Sequence, residues 1–555
     1  METGIQEATL ERATALLAAG NLDEAARLCA ASDDPGLLRI VAYVHQTQGR
    51  PRQAAGAYEA VLRAMPGDWE SWNNYGNVLL ALDRFDEAVA VFRRALQLRS
   101  DRVEIVFNLA DALGGAERHE ERAAVLRTWA QIDGEDARGQ TDLGLAEAAV
   151  DDYAAAERAF REAIRLDPAR LEAWLELGLV LETLNRTDDL AALAEEAARA
   201  GLGAEAHFLT AWALRRQNRF EEALAEAEAT PETINPVRRE QLLAGLYDRL
   251  GRPAEAFARF EAMNRASEAA SPAPPGLTYR EAVAAAAARM TADRVADWTR
   301  FEVAPEPPAP VFILGFPRSG TTLLDTLLMN LPSLHVLEEQ PVMRTVEAAI
   351  AADGDLGLMS AEEARGIRSY YFQVLAGLAS VPPGKTVVDK HPLHSARMPL
   401  IQRVFPDARI IFVERHPCDV VLSCFMANFS LNHAMRSFTT IEEAARTYDA
   451  VLDAWTRAET LLPLDVHRIR YERMVADLAG EMRPLLAFLG LPWDEKVLDN
   501  QAAAASRGRV RTASYSQVGE PIYTRAAGRW EQYRDQLAPV LPILAPWVEK
   551  MGYTL

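Results

Sequence analysis

The sequence predicts two kinds of structure joined end to end: an α-helical repeat array, followed by an α/β domain with a central parallel sheet. Three observations predict this arrangement. Residue triplets recur at spacings of 34 and 33 residues through the first half of the chain, a period typical of helix-pair repeats. Prolines then cluster at 270–276 and 303–310, where they interrupt helices and favour extended linkers. Beyond them, short apolar runs alternate with helical patterns, as in a parallel sheet.

Composition and charge exclude several classes of protein. The 555 residues carry a net charge of −21, which argues against non-specific nucleic-acid binding. Three cysteines, Cys29, Cys418 and Cys424, cannot build a disulfide framework or a four-ligand zinc site. The densest apolar run, at 309–316, is far shorter than the roughly 18 residues of a membrane helix. We therefore expect a cytoplasmic protein without membrane or nucleic-acid partners.

The first half repeats at several positions in phase. Trp72 and Trp174 are three periods apart, and Gly76, Gly144 and Gly178 share one position of the period. A small residue there lets two antiparallel helices approach closely. The recurring triplets begin at Gly49, Asp83, Glu117, Asp151, Asn185, Asn218 and Gly251.

These features resemble the tetratricopeptide repeat, with seven recognisable units and an irregular one at 20–30. The resemblance implies a curved surface that binds a protein or peptide. A spacer or a homodimerisation surface remains open. We assign 1–265 to the array and 266–307 to a helical, proline-rich linker.

A candidate anion site follows the linker. The strand pattern VFILGF leads into a loop, 317–322, and then into an apolar helix. Backbone N–H groups at such a helix start attract anions. Gly315 and Gly320 have the spacing of the nucleotidase motif GxxxxGK[ST], but Thr321 occupies the lysine position. This substitution counts against ATP or GTP hydrolysis, because that lysine contacts the β- and γ-phosphates.

A second candidate anion site lies at the end of the strand pattern RIIFVE, 409–414. Arg415 follows this strand, and Ser423 lies two turns into the next predicted helix. Both side chains can reach one dianionic group. Further strands are predicted at 385–389 and 466–470, and a late arginine cluster spans 507–529.

The segments PRSGTTLL, IIFVERHPCDVVLS and RIRYERMVADL resemble the sulfotransferase superfamily, and tyrosylprotein sulfotransferases in particular. The resemblance covers 308–550, so we assign 308–555 to a P-loop-like sulfotransferase domain. It implies 3′-phosphoadenosine 5′-phosphosulfate as cosubstrate. The cofactor-binding residues that it implies are Arg318, Ser319, Gly320, Thr321 and Thr322 for the 5′-phosphosulfate, with Arg415, Ser423, Tyr471 and Arg529 for the rest of the nucleotide.

The resemblance also implies catalytic roles. Glu339 corresponds to the proposed base, with Glu338 and then His391 as alternatives. Lys390 would stabilise charge on the bridging oxygen, Arg318 supplies a fixed positive charge, and Ser514 would donate a hydrogen bond to the transferring group. Cationic side chains can neutralise the leaving phosphate, so no metal is expected.

Taken together, the sequence predicts a sulfotransferase that acts on an acceptor hydroxyl, with the array recruiting the acceptor or a partner. A peptide tyrosine is one candidate acceptor, and a small molecule is another. The alternatives are a P-loop kinase or nucleotidase, and a repeat scaffold with a degenerate nucleotide domain.

Overall fold

The computed structural model describes residues 2–30, 32–232, 234–298, 307–350, 356–500 and 527–555. The chain divides into two compact units, Met1–Leu209 and Thr210–Leu555. Helices dominate the first unit, and the second contains both helices and a sheet. The helices up to the proline-rich segment are α1 (Glu2–Ala18), α2 (Leu22–Cys29), α3 (Pro35–Thr47), α4 (Pro51–Ala64), α5 (Trp69–Leu80), α6 (Phe85–Leu98), α7 (Val103–Gly115), α8 (His119–Ile132), α9 (Ala137–Ala149), α10 (Tyr153–Leu166), α11 (Leu171–Thr183), α12 (Thr187–Arg199), α13 (Ala206–Arg216), α14 (Phe220–Ala229), α15 (Pro236–Arg249) and α16 (Pro253–Ala270).

The recurring triplets form the turns between paired helices, which confirms the predicted repeat array. Each begins with a residue in the left-handed region, such as Asp83 at φ 56° between α5 and α6. Its neighbour Arg84 donates its backbone N–H to Leu79 O at 2.9 Å, which satisfies a carbonyl that the ending helix leaves open. The other turns have the same sign of φ, at Gly49, Glu117, Asp151, Asn185, Asn218 and Gly251.

The small residues predicted inside the repeats allow close packing. A Cβ atom on Gly76 would lie 2.4 Å from the Phe92 ring, and one on Gly144 would lie 2.5 Å from the Phe160 ring. Trp72 Nε1 donates to the Pro66 carbonyl at 3.0 Å. Trp174 repeats this bond with Pro168, also at 3.0 Å. Equivalent positions therefore make equivalent contacts.

The remaining elements build an α/β domain, as predicted. Its strands are β1 (Val311–Gly315), β2 (Leu334–Glu338), β3 (Thr386–Lys390), β4 (Arg409–Glu414) and β5 (Asp465–Arg470). Its helices are α17 (Tyr279–Arg289), α18 (Ala292–Ala296), α19 (Thr321–Met329), α20 (Val342–Ala349), α21 (Ala361–Leu378), α22 (Met398–Val404), α23 (Pro417–Phe425), α24 (Ile441–Leu461), α25 (Tyr471–Ala476), α26 (Leu478–Phe488), α27 (Arg534–Leu537) and α28 (Leu541–Lys550). The sequence prediction missed β2 and assigned the residues of α17 and α18 to the helical linker.

The five strands of the described sheet are parallel in the order β2-β3-β1-β4-β5. The chain leaves β1 towards β2 on one side and leaves β4 towards β5 on the other. The carboxyl ends of β1 and β4 therefore form a topological switch point, where open α/β sheets bind ligands.

Alternating strand residues build a core on each face of the sheet. On one face, Ile313 and Ile411 pack against Leu324 and Leu328 of α19. On the other, Phe412 stacks on Trp455 of α24 with ring centroids 4.4 Å apart. No helix in the described part of the chain is long and apolar enough to cross a bilayer.

Candidate active site

The loop between β1 and α19 is tightly packed. Arg318 has φ 69° and Gly320 has φ 109°. A Cβ atom on Gly320 would lie 2.6 Å from Tyr471 Cδ2, and one on Gly315 would lie 2.7 Å from Ser319 Oγ. Ser319 Oγ is buried and has no hydrogen-bond partner within the described part of the chain. The loop thus combines a buried hydroxyl that lacks a described partner with a helix N-terminus, and helix N-termini attract anions.

The two predicted anion-binding arginines meet at the carboxyl ends of β1 and β4. Arg415 Nη1 donates to the Arg318 carbonyl at 3.0 Å. Arg318 Nε in turn donates to Ser423 Oγ on α23 at 3.2 Å. The Arg415 guanidinium lies 4.6 Å from the centre of the Tyr471 ring. Four predicted cofactor-binding side chains are therefore contiguous at one edge of the sheet.

Lys390 lies at the end of β3 as a wholly buried cation. Its Nζ contacts Glu339 Oε1 at 2.8 Å and Asp325 Oδ2 at 3.1 Å. Burial works to lower the pKa of Lys390, but the carboxylates of Asp325, Glu339 and Glu338 outweigh it and raise that pKa. Glu339 accepts one N–H bond of the ammonium group and Asp325 pairs with its charge, so a further N–H bond to an oxyanion is chemically available.

Glu339 stands directly after β2 in a strained backbone conformation. Its φ is 47°, in the left-handed region that non-glycine residues seldom adopt. Residues with such strained backbone are enriched at functional sites. Its N–H donates to the Lys390 carbonyl at 2.9 Å. The Glu339 side chain is 32% exposed, whereas Glu338, in register with Lys390 on β2 and β3, is buried. Of the two glutamates, Glu339 is the one that solvent or an acceptor can reach.

His391 is bonded in a way that disfavours it as a base. Its Nδ1 accepts a hydrogen bond from the Leu393 N–H at 3.1 Å. Burial, followed by the charges of His394 and Arg397, holds the pKa of His391 well below its usual value. The neutral ring therefore carries its proton on Nε2, which makes that nitrogen a donor.

Asp389 belongs to the opposite face of the sheet from Lys390. Its carboxylate accepts a hydrogen bond from Tyr371 OH at 2.8 Å and contacts His394 Nε2 at 3.0 Å. These contacts support the end of β3 beneath Lys390.

The end of the predicted arginine cluster is anchored through its backbone. Asp419 on α23 accepts hydrogen bonds from the Gly528 N–H at 2.7 Å and the Trp530 N–H at 2.9 Å. Between them, Arg529 forms an ion pair with Asp248 at 2.7 Å. Ser514 and the cluster's arginines from Arg507 to Arg525 lie outside the described residues.

Sequence reasoning missed three acidic residues that shape the site: Asp325, Asp419 and Asp248. Asp325 alone carried a signal, because it interrupts the apolar helix TTLLDTLLM.

In the described ranges, from 2–30 to 527–555, no group of three or more His, Cys, Asp or Glu side chains could hold a metal ion.

Comparison with known proteins agrees with the two predicted parts of the chain. Residues 310–495 match the model of a sulfotransferase family, and residues 42–103, 79–137 and 141–201 match that of the tetratricopeptide repeat. An uncharacterized protein of Aquifex aeolicus (strain VF5) is 28% identical over 258 residues, which are 44% of this chain and 33% of that protein. The chain thus aligns with a third of that relative's length.

Two further similar proteins are sulfotransferases by name. Protein-tyrosine sulfotransferase 1 of Danio rerio is 26% identical over 269 residues, covering 44% of this chain and 72% of that protein. A solved sulfotransferase domain from the curacin biosynthetic pathway is 19% identical, with a TM-score of 0.34, and the match covers 45% of this chain and 99% of that domain.

Proposed function

Because the chain carries tetratricopeptide repeats and a sulfotransferase-family domain, we propose that it moves a sulfuryl group from 3′-phosphoadenosine 5′-phosphosulfate to an acceptor hydroxyl. The observation that carries this proposal is the contact of Arg318 with Ser423 and with Arg415. This contact brings two positive groups together at one sheet edge, as a nucleotide with phosphates at both ends of its ribose requires. The loop 317–322 would hold the 5′-phosphosulfate, and Arg415 with Ser423 would hold the 3′-phosphate.

We assign the chemistry to the groups around Lys390. Glu339 accepts the proton of the acceptor hydroxyl as the acceptor oxygen forms its bond to sulfur. The bond between sulfur and the bridging oxygen breaks, and Lys390 and Arg318 stabilise the charge that this oxygen gains. The products are the sulfated acceptor and adenosine 3′,5′-bisphosphate. Ser514 and Arg529 keep their proposed roles at the transferring group and the 3′-phosphate.

Two titrations test which nucleotide the chain binds. Isothermal titration with adenosine 3′,5′-bisphosphate should show binding without Mg²⁺, and binding should weaken in Arg415→Ala. Tight binding of ATP alone, dependent on Mg²⁺, would instead support a kinase or nucleotidase.

A matched pair of variants tests the base. Glu339→Gln should lower the rate of sulfuryl transfer by about 10²- to 10⁴-fold, the usual contribution of a general base, with product-nucleotide affinity retained. Glu338→Gln tests the alternative base in the same assay, and we expect a smaller loss because that side chain is buried. Full activity of Glu339→Gln, or a larger loss in Glu338→Gln, would reassign the base.

For the acceptor, we propose a tyrosine in a peptide or protein recruited by the repeats. Two features support this choice: the similarity to a protein-tyrosine sulfotransferase and the presence of a partner-binding type of array. Labelled donor should transfer label to tyrosine peptides and not to peptides with phenylalanine in place of tyrosine. Label that enters only small molecules of a lysate would overturn the choice.

The buried free thiols of Cys29, Cys418 and Cys424 support a reducing, cytoplasmic location.

A further inference from the structure

The last pair of repeat helices, α15 and α16, contacts the nucleotide end of the candidate site. We infer that Asp248 on α15 is a positioning residue, which orients Arg529 towards the 3′-phosphate. This inference rests on the proposed function. It extends that function, because it makes the final repeat pair a structural part of the nucleotide site.

Asp248 holds Arg529 through a two-point contact. Asp248 Oδ2 pairs with Arg529 Nη2 at 2.7 Å, and Oδ1 accepts from Arg529 Nε at 3.2 Å. Tyr533 OH also donates to Oδ1, at 2.7 Å. A carboxylate that engages Nε and Nη2 together fixes the plane of the guanidinium. The two N–H bonds of Nη1 then point in a fixed direction.

The same contact pairs the charge of Arg529 in a confined position. Burial by itself would lower the pKa of Arg529, but the Asp248 carboxylate outweighs it and raises that pKa. The Asp248 side chain is only 12% exposed. Its charge therefore acts mainly on its neighbours and not on solvent.

Arg529 is placed beside the helix that carries Ser423. Asp419 binds the backbone N–H groups on both sides of Arg529. Asp419 and Ser423 are four residues apart on α23, so they share one face of that helix. Trp530 stacks on His416, next to Arg415, with ring centroids 5.0 Å apart. Arg529 is thus tied to the element that presents Ser423.

The helix α16 holds the other end of α23. Asn264 Nδ2 donates to the Phe425 carbonyl at 3.0 Å, in a buried contact. The Phe425 ring stacks on Phe257 with centroids 4.7 Å apart. Phe425 lies two residues beyond Ser423, so α16 fixes the end of the helix that presents this hydroxyl. The final repeat pair therefore supports two of the three residues proposed at the 3′-phosphate, Ser423 through α16 and Arg529 through α15.

The test compares two nucleotides on the whole chain. Asp248→Asn should weaken the affinity for adenosine 3′,5′-bisphosphate about 10-fold, because Arg529 loses its preorganised orientation. The affinity of this variant for adenosine 5′-monophosphate should stay within about twofold, because that nucleotide has no 3′-phosphate for Arg529 to contact. The ratio of the two affinities separates positioning from a general loss of structure, which would weaken both nucleotides. Glu255→Gln is the matched control, since Glu255 on α16 forms an exposed pair with Arg252, the residue before this helix, at 2.8 Å.

A double variant tests whether Asp248 acts through Arg529. Once Arg529→Gln is present, adding Asp248→Asn should not change the bisphosphate affinity further. The inference is wrong if Asp248→Asn binds both nucleotides with wild-type affinity, or if it loses affinity for both nucleotides equally. In either case the proposed function stands. If the wild-type chain shows no preference for the 3′-phosphorylated nucleotide, the proposed function and the inference both fail.

Discussion

Replacing Asp325 with asparagine tests how Lys390 is held in the site. Both side chains are wholly buried, and Asp325 Oδ2 lies 3.1 Å from Lys390 Nζ. At this separation an effective dielectric constant of about 20 gives an attraction of roughly 5 kcal/mol. Breaking such a pair costs about 3–5 kcal/mol, because one charge stays buried without its partner. Glu339 remains 2.8 Å from Nζ, so we expect the lower end, about 3 kcal/mol.

Calorimetry measures the loss of stability, and a sulfuryl-transfer assay measures the activity of each variant. For the compact unit Thr210–Leu555, a loss of about 3 kcal/mol corresponds to a fall in Tm of roughly 4 °C. Asp453→Asn is the control, because Asp453 forms an exposed pair with Arg457 that contributes about 0–1 kcal/mol. Adding Lys390→Met to Asp325→Asn should restore part of the lost Tm, because the stranded charge is gone, but it should abolish transfer. An unchanged Tm in Asp325→Asn would refute the buried pair.

The remaining predictions concern His391 and Gly320. His391→Asn should keep transfer within about threefold, because asparagine can also cap the following turn, whereas loss of a true base costs about 10²-fold or more. The pKa of His391 is lowered in the folded chain, so its contribution to stability is present above the unfolded pKa of about 6.5 and is lost as pH falls below it. The Tm of the wild type should therefore fall more steeply than that of His391→Asn between pH 7 and pH 5, and parallel curves would contradict this. Gly320→Ala should reduce product-nucleotide affinity about 10-fold or more, since its Cβ would collide with Tyr471 at a strained φ. Gly366→Ala, where nothing lies within 4 Å, should bind normally, and equal affinity in both variants would contradict the tight loop.

Local periodicity accounts for the parts of the fold that the sequence predicted well. The repeat turns recur because each helix pair needs a left-handed residue at the same place, as at Asp83 and Asn185. The anion loop was predictable because its strand, glycines and helix start are consecutive in the chain. β2 was missed because this short edge strand contains a histidine and two partly exposed positions, so it lacks a clear apolar pattern.

Contacts between distant segments were not predictable. Asp248 and Arg529 are 281 residues apart, and no local pattern marks either as a partner of the other. Asp325 meets Lys390 only because β3 lies next to β1, an adjacency that sequence order does not reveal. The individual roles of the site residues, Ser514 among them, stay predictions.

A crystal structure of the chain with adenosine 3′,5′-bisphosphate would test most directly whether one nucleotide contacts both the loop of Arg318 and the side chain of Arg415. We expect its 5′-phosphate within about 3 Å of the N–H groups of the loop 317–322, and its 3′-phosphate within the same distance of Arg415 and Ser423. A nucleotide bound elsewhere, or one with its 3′-phosphate remote from Arg415, would contradict the account.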